Sequence, residues 1–301
     1  MKKWLSLVLL AILVLSLAAC GSQKDDKASE SKKETTDTKE VFKIGAIPDQ
    51  NATELDKGMT AVAQYLSEKT GMKVEFVPSV DYAALVTAFQ RGEIHMAWFG
   101  GLTSVQAISL VPDAESFAQR PRDAEFHSVF ITQPDSGITK LEDLKGKSFT
   151  FGSESSTSGH LMPRYFLSEA GIDPNTDFDG KPNFSGSHDT TYKLVESGAF
   201  KAGALNEAVW EAAVAEKKVD TTKVKVFYTT PSYFDYNWTI NSNVDDVFGN
   251  GAKKKVEDAI LSITTDQKEI TDFFQTDKFI ETKNANYGKI QKVAKELNII
   301  K

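Results

Sequence analysis

The sequence has a single cysteine, Cys20. No internal disulfide can form, so the fold must stand on its apolar core. It also lacks an excess of positive charge. The formal net charge over 301 residues is −7 and no basic face is apparent, which argues against nucleic acid as a partner. That balance leaves a small anionic ligand open, because local dipoles and hydrogen bonds hold anions inside acidic proteins. No His-Glu-x-x-His and no cysteine ligand set occurs, so no metal and no cofactor are expected. No Gly-x-Ser-x-Gly occurs, and the strand-to-helix elbow of many serine hydrolases is missing with it. No repeat of fixed period is present. The apolar run at residues 4–19 is too short for a comfortable membrane span.

That run follows Lys2 and Lys3 and closes in Leu17-Ala18-Ala19-Cys20-Gly21. A positive start, an apolar stretch and small residues before a cleavage point describe a secretory signal over residues 1–19. The closing motif resembles a bacterial lipobox, whose cysteine is acylated and becomes the first mature residue. Lipidation of Cys20 is therefore expected, with the protein anchored on the extracytoplasmic face of the bacterial cell membrane. The alternative is a buried core thiol. Residues 21–40 carry mixed charges, no aromatic residue and no aliphatic larger than alanine. Such a segment cannot bury enough surface to offset its ordering entropy, so 20–40 reads as lipidated cysteine plus flexible tether.

From residue 41 strands and helices alternate. Residues 41–47 and 73–77 read as strands around a helix whose apolar positions are Leu55, Met59, Val62 and Leu66 and which ends near Thr70-Gly71. Asp81 can cap a second helix carrying Leu85, Ala88 and Phe89. Further strands are expected at 94–98, 128–132, 148–151, 202–205 and 224–228. Further helices are expected up to Leu110, up to Ala170, over 189–197 and over 207–215. Tyr287, Ile290, Val293, Ala294 and Leu297 mark one apolar face of a last helix. The pattern predicts an α/β fold with largely parallel sheets. Two such units joined by extended crossings near 128–132 and 236–240 predict two lobes and a cleft. Lobe I would be 41–131 plus 236–301, and lobe II 132–235.

Ligands of open parallel sheets sit outside the carboxyl ends of the strands, so chemistry should lie just after them. Residues 151–159, Phe-Gly-Ser-Glu-Ser-Ser-Thr-Ser-Gly, follow a strand and open a helix. Hydroxyls and free N–H groups at such a helix start suit an anion. Pro163 falls in or just past the first turn, where a missing N–H costs least. The plainer reading is an ordinary cap with extra serines. The turn itself holds no Gly-Lys-Ser/Thr and is no P-loop. In Phe184-Ser185-Gly186-Ser187-His188-Asp189, His188 can donate to an oxyanion, or simply be solvated beside a helix cap.

Taken in order, Asp81-Tyr82, Ala97-Trp98-Phe99-Gly100, Ser156-Thr157-Ser158-Gly159 and Gly186-Ser187-His188-Asp189 resemble the phosphate/phosphite/phosphonate-binding proteins of ABC importers. The likeness covers nearly all of 41–301. It implies a two-lobed type II periplasmic-binding-protein fold with a hinge of two crossing strands. It implies that Ser156, Thr157 and Ser158 hold oxyanion oxygens, that His188 donates a further bond, and that Tyr82 closes from the opposite lobe. Glu207 and Asp235 match acidic positions that in some members accept protons from the ligand. Phe99 departs from the family's Trp-Tyr-Gly and lacks the hydroxyl, so Gly100 and its neighbours would supply backbone N–H groups instead. A likeness to a subgroup labelled selenate-binding runs through 98–103, 124–128 and 151–159, and also implies a tetrahedral oxyanion.

The resemblance implies a monomeric binding protein that is no enzyme, with a small oxyanion and an ABC permease as partners. A secreted hydrolase is the alternative class, with serines, His188 and Asp235 as its triad. A surface lipoprotein without ligand is the third. Trp98, Trp210, Tyr233, Tyr236 and Trp238 read as core or cleft wall, Arg120 and Arg122 as solvated or salt-bridged, and His127 as structural.

Overall fold

The computed structural model describes residues 40–300. Cys20, the signal run and nearly all of the tether lie outside them. Strand β1 (Phe42–Ala46) is followed by α1 (Ala52–Thr70). Asn51 opens that helix by accepting the N–H groups of Thr53 and Glu54, and Gly71 ends it at φ 73°, a conformation suited to glycine. β2 (Val74–Phe76), α2 (Tyr82–Gln90), β3 (Met96–Phe99), α3 (Gly101–Leu110) and β4 (Glu115–Gln119) complete the first stretch. Asp81 caps α2 as expected, with Oδ1 2.7 Å from the Ala84 N–H.

The chain then crosses. β5 (Ser128–Thr132), β6 (Phe149–Phe151), a π-helical turn (Thr157–Leu161), α4 (Met162–Glu169), β7 (Asn183–Phe184), α5 (His188–Glu196), β8 (Ala202–Asn206), α6 (Glu207–Ala215) and β9 (Lys225–Thr229) form the second unit of structure. The return brings β10 (Asn237–Ile240), α7 (Val244–Phe248), α8 (Ala252–Leu261), α9 (Lys268–Phe274), β11 (Ile280–Glu281) and α10 (Gly288–Glu296).

Two sheets result, ordered β11-β4-β10-β3-β1-β2 and β7-β6-β8-β5-β9. Both are mixed, not mostly parallel as expected. The parallel pairs are β1 with β2 and β3, and β6 with β7 and β8. The strands that arrive from the other sheet insert antiparallel, β10 between β3 and β4 and β5 between β8 and β9. Parallel neighbours need a helical crossover, and these two strands arrive without one. Residues 128–132, expected to close the first lobe, thus pair wholly within the second sheet. The crossing segments are 120–127 and 230–236. They are stapled by Phe126 and Tyr233, whose N–H and C=O groups exchange bonds of 2.8 and 3.0 Å.

The larger core is built on the first sheet around Phe42, Phe89, Phe99 and Trp238, and it takes in Leu161, Met162 and Phe166 from the second. Each such side chain contributes about 1.5–3 kcal/mol on full burial. Two smaller cores, around Phe149 and around Ile131, cover the faces of the second sheet. The serine turn is therefore not free at the surface but packed between the sheets.

Candidate functional site

The turn after β6 is held by its own backbone. Gly152 N–H donates to Gly159 O at 2.9 Å, Ser156 Oγ accepts Gly159 N–H at 2.9 Å, and Ser156 O accepts Leu161 N–H at 3.0 Å. The amides of Thr157 and Ser158 are left at the open end of the turn, where helix donors have no intrahelical acceptor. Gly159 is tightly enclosed: a Cβ there would lie 3.0 Å from His188 Cε1 and 3.1 Å from Gly152 Cα. Ser158 O accepts Ser128 Oγ–H at 2.8 Å, so Tyr233 Oη–H is the donor in its 2.6 Å contact with Ser128.

The first sheet closes on this turn. Leu102 N–H donates to Thr157 Oγ1 at 2.9 Å, and Gly101 N–H to Asp235 Oδ1 at 2.9 Å. Gly100 sits between them, its Cβ direction only 3.1 Å from Thr157 Oγ1 and 3.3 Å from Asp235 Oδ1. Tyr82 heads α2, and its hydroxyl is buried without a partner. Asp235 Oδ2 is likewise buried and unpaired. Only four buried side-chain polar atoms are unpaired among the described residues, and these are two of them. An unpaired buried polar atom costs about 1–3 kcal/mol, and these two set one free donor and one free acceptor beside the same turn. Burial pushes the Asp235 carboxyl up to about 7, against the Gly101 N–H and the Thr157 and Ser158 hydroxyls that hold it down. Burial first, then the Asp49 and Asp235 carboxyls, drive the Tyr82 phenol well above its ordinary value, so it stays a donor.

His188 is the first residue of α5 and is fully buried. Its Nδ1 accepts Asn206 N–H at 3.3 Å, which assigns the ring hydrogen to Nε2, 3.5 Å from Tyr236 Oη. Burial lowers its pKa to about 4, so the imidazole is neutral and donates one hydrogen bond.

The structure thus brings Tyr82, Gly100, Ser156, Thr157, Ser158, His188 and Asp235 together. The Phe99 ring goes into the core instead, edge-on to Phe89 at 5.5 Å, and reaches the site only through its backbone. Glu207 is partly exposed at the start of α6, 3.8 Å from Arg122 Nη2 and outside the buried cluster. Arg120 is salt-bridged but not solvated. It grips both oxygens of Asp123 at 2.7 Å and lies over Trp98 and Tyr236. Asp49 and Asn206 were missed by the sequence reading, and Tyr236, read as core or cleft wall, is part of the polar cluster. Asp49 follows β1, so the rule that points past strand ends covers it as well. A small cavity of about 30 Å³ is lined by Asp49, Trp98, Arg120, Asn206 and Tyr236. A larger cavity, about 700 Å³, is lined by residues of α1, α5, α6 and α9. Its lysines are already paired there, Lys57 with Glu269, Lys193 with Asp189 and Lys218 with Glu54, so it offers an anion little. No cluster of His, Cys, Asp and Glu fit for a metal occurs among the described residues, and no helix among them is long and apolar enough to cross a membrane.

Residues 44–287 match the family model of the ABC transporter phosphonate periplasmic substrate-binding proteins. The "Probable ABC transporter phosphite binding protein PhnD1" of Prochlorococcus marinus is 41% identical over 270 residues, covering 87% of this chain and 91% of that protein. The solved structure of PhnD1 in complex with methylphosphonate has a TM-score of 0.84 at 40% identity, over 86% of this chain and 99% of that one. A binding protein of an ABC phosphonate transporter from Pseudomonas aeruginosa shares the fold, with a TM-score of 0.75 at 22% identity over 84% and 85% of the two chains. The chain belongs to the family of ABC transporter phosphonate periplasmic substrate-binding proteins.

Proposed function

We propose that this protein captures a small tetrahedral phosphorus oxyanion, of the phosphite and phosphonate class, and delivers it to an ABC permease. The observation that carries this is the buried pair of unsatisfied groups, Tyr82 Oη and Asp235 Oδ2, beside the open amides of the 157–158 turn. The methylphosphonate held by PhnD1 supports the same ligand class. Ser156, Thr157 and Ser158 receive the anionic oxygens, Tyr82 donates to them, and Asp235 accepts a hydrogen that the ligand brings, while His188, whose one ring hydrogen faces Tyr236, backs the turn at Gly159. An acceptor-only group favours a guest with its own proton.

Capture is by closure. The two sheets form two lobes, with 120–127 and 230–236 as the hinge. Leu102 N–H to Thr157 Oγ1 and His188 N–H to Asp49 O, at 2.9 and 3.0 Å, join the lobes in the closed form. Water leaves as they meet, and each hydrogen bond to the guest gains strength. The protein acts without turnover: the one ring hydrogen of His188 faces the Tyr236 phenol, so the imidazole is not set as a base beside a serine. It works as a monomer, secreted by the signal at 1–19 and tethered by lipid on Cys20. Calorimetric titration with phosphite, methylphosphonate, phosphate and selenate at two pH values tests the reading, and no heat with any of the four overturns it.

A further inference from the structure

We propose that Asp49 is a ligand-selecting residue: with Asp235 it admits a tetrahedral oxyanion that carries or recruits a proton, and turns away one that stays fully ionised, such as sulfate or selenate. This deepens, and rests on, the oxyanion reading of the pocket. Asp49 lies just past β1 and is 5% exposed. Its Oδ2 accepts the Tyr236 hydroxyl at 2.8 Å. The direction of that bond is fixed by its neighbours. Asn206 Nδ2 donates into the same phenol oxygen at 2.8 Å, and the hydrogen on His188 Nε2 faces it at 3.5 Å. Tyr236 has one proton to give, and Asp49 receives it. The whole chain of hydrogens therefore runs toward the Asp49 carboxyl as its terminal acceptor.

The charges around Asp49 offset it only in part. Arg120, the basic side chain that bears on it, already spends its guanidinium on both oxygens of Asp123 and on Phe274 O. From α5 the Asp189 carboxylate adds to the negative field, and from α2 the Tyr82 hydroxyl feels Asp49 and Asp235 together. On the Asp235 side Asp123 adds more of the same sign. Burial pushes Asp49 up to about 6 and Asp235 up to about 7. Near neutrality two carboxyl groups thus meet a single cation, Arg120, which is already bonded to Asp123. A dianion can enter such a site only if a proton is shared between its oxygen and a carboxyl. Phosphite and phosphonates hold a removable proton near neutral pH. Sulfate and selenate do not, and meet two acceptors with nothing to donate.

Calorimetry of the full chain with phosphite, sulfate and selenate tests this, at pH 6 and pH 8 in two buffers of different ionisation enthalpy. The wild-type protein is expected to bind phosphite with net proton uptake at pH 8 and to give no measurable heat with sulfate. Asp49→Asn keeps an acceptor for Tyr236 and removes the charge. It is expected to gain about tenfold or more in sulfate affinity and to flatten the pH dependence of phosphite binding. Unchanged sulfate rejection and an unchanged pH profile in a folded Asp49→Asn protein that still binds phosphite overturn the inference alone. Failure of the wild type to bind any phosphorus oxyanion overturns the reading beneath it. Should the variant not fold, phosphite binding by the wild type without proton uptake at pH 8 is the overturning result, and uptake the supporting one.

Discussion

Leu102 N–H donates to Thr157 Oγ1 across 2.9 Å, joining the first turn of α3 on one sheet to the anion turn on the other. The hydroxyl that the ligand reading assigns to the guest is thus also a fastening between the two halves of the cleft. Thr157→Ala removes both roles, and its effect on phosphite affinity is expected at about 1–3 kcal/mol, the range of a charge-assisted bond. Thr157→Ser restores the hydroxyl and most of the affinity. Calorimetric affinity read beside the thermal midpoint checks this: an alanine variant that binds like wild type removes Thr157 from the site.

Asp235 links the site to the pH dependence of the fold. Its carboxyl is raised from 3.8 to about 7, so between those values the folded state holds a proton that the unfolded chain has lost. In that window the unliganded protein loses stability as pH rises, and the loss is complete above about 7. Asp235→Asn removes the buried charge. Each unit of a raised pKa is worth about 1.4 kcal/mol, so the variant is expected to be stabilised by at least that much at pH 8, and little at pH 4. Urea denaturation at both pH values reads it. A variant destabilised equally at both contradicts the assignment, and phosphite binding is expected to weaken in the same protein.

Gly159 is pinned between His188 Cε1 and Gly152 Cα, at 3.0 and 3.1 Å from an added Cβ. Backbone and a buried ring must both give by a few tenths of an ångström, so Gly159→Ala is expected to cost about 1–3 kcal/mol of stability and to lower ligand affinity as the turn opens. Denaturant midpoints and titration heats measure the two effects together. A variant normal in both means that the turn yields.

Arg120 and Asp123 form a bidentate pair inside the first crossing segment, both buried. Arg120→Met strands the Asp123 carboxylate, with an expected loss of about 3–5 kcal/mol. The double variant Arg120→Met with Asp123→Leu is expected to recover much of that, because no charge is then left uncompensated. Chemical denaturation of the two proteins gives the comparison, and equal losses in both count against the stranded charge.

Much of this was legible because it is local. The spacing of Leu55, Met59, Val62 and Leu66, the cap at Asp81 and the turn at Gly71 each dictate their own few residues, and α1 and α6 end close to where periodicity places them. β4 was not legible: Glu-Ser-Phe-Ala-Gln alternates poorly, and it is a strand because β10 and β11 pair with it. The π-helical turn at Thr157–Leu161 was equally hidden, because its shape is set by Gly159 packing on His188 and by Ser156 taking two bonds.

The sequence alone determined the kind of fold and the serine turn at a helix start, since periodicity and caps act within a few residues of themselves. Tertiary structure alone decided which acids are buried in the polar cluster between the sheets. Asp49 and Asp235 stand far apart in the chain, and only the antiparallel return of β10 brings Tyr236 onto Asp49 and Asp235 onto Gly101. It also took Phe99 into the core and left Glu207 beside Arg122. Burial raises a carboxyl only when the whole fold closes over it, and no pattern of neighbouring residues records that closure.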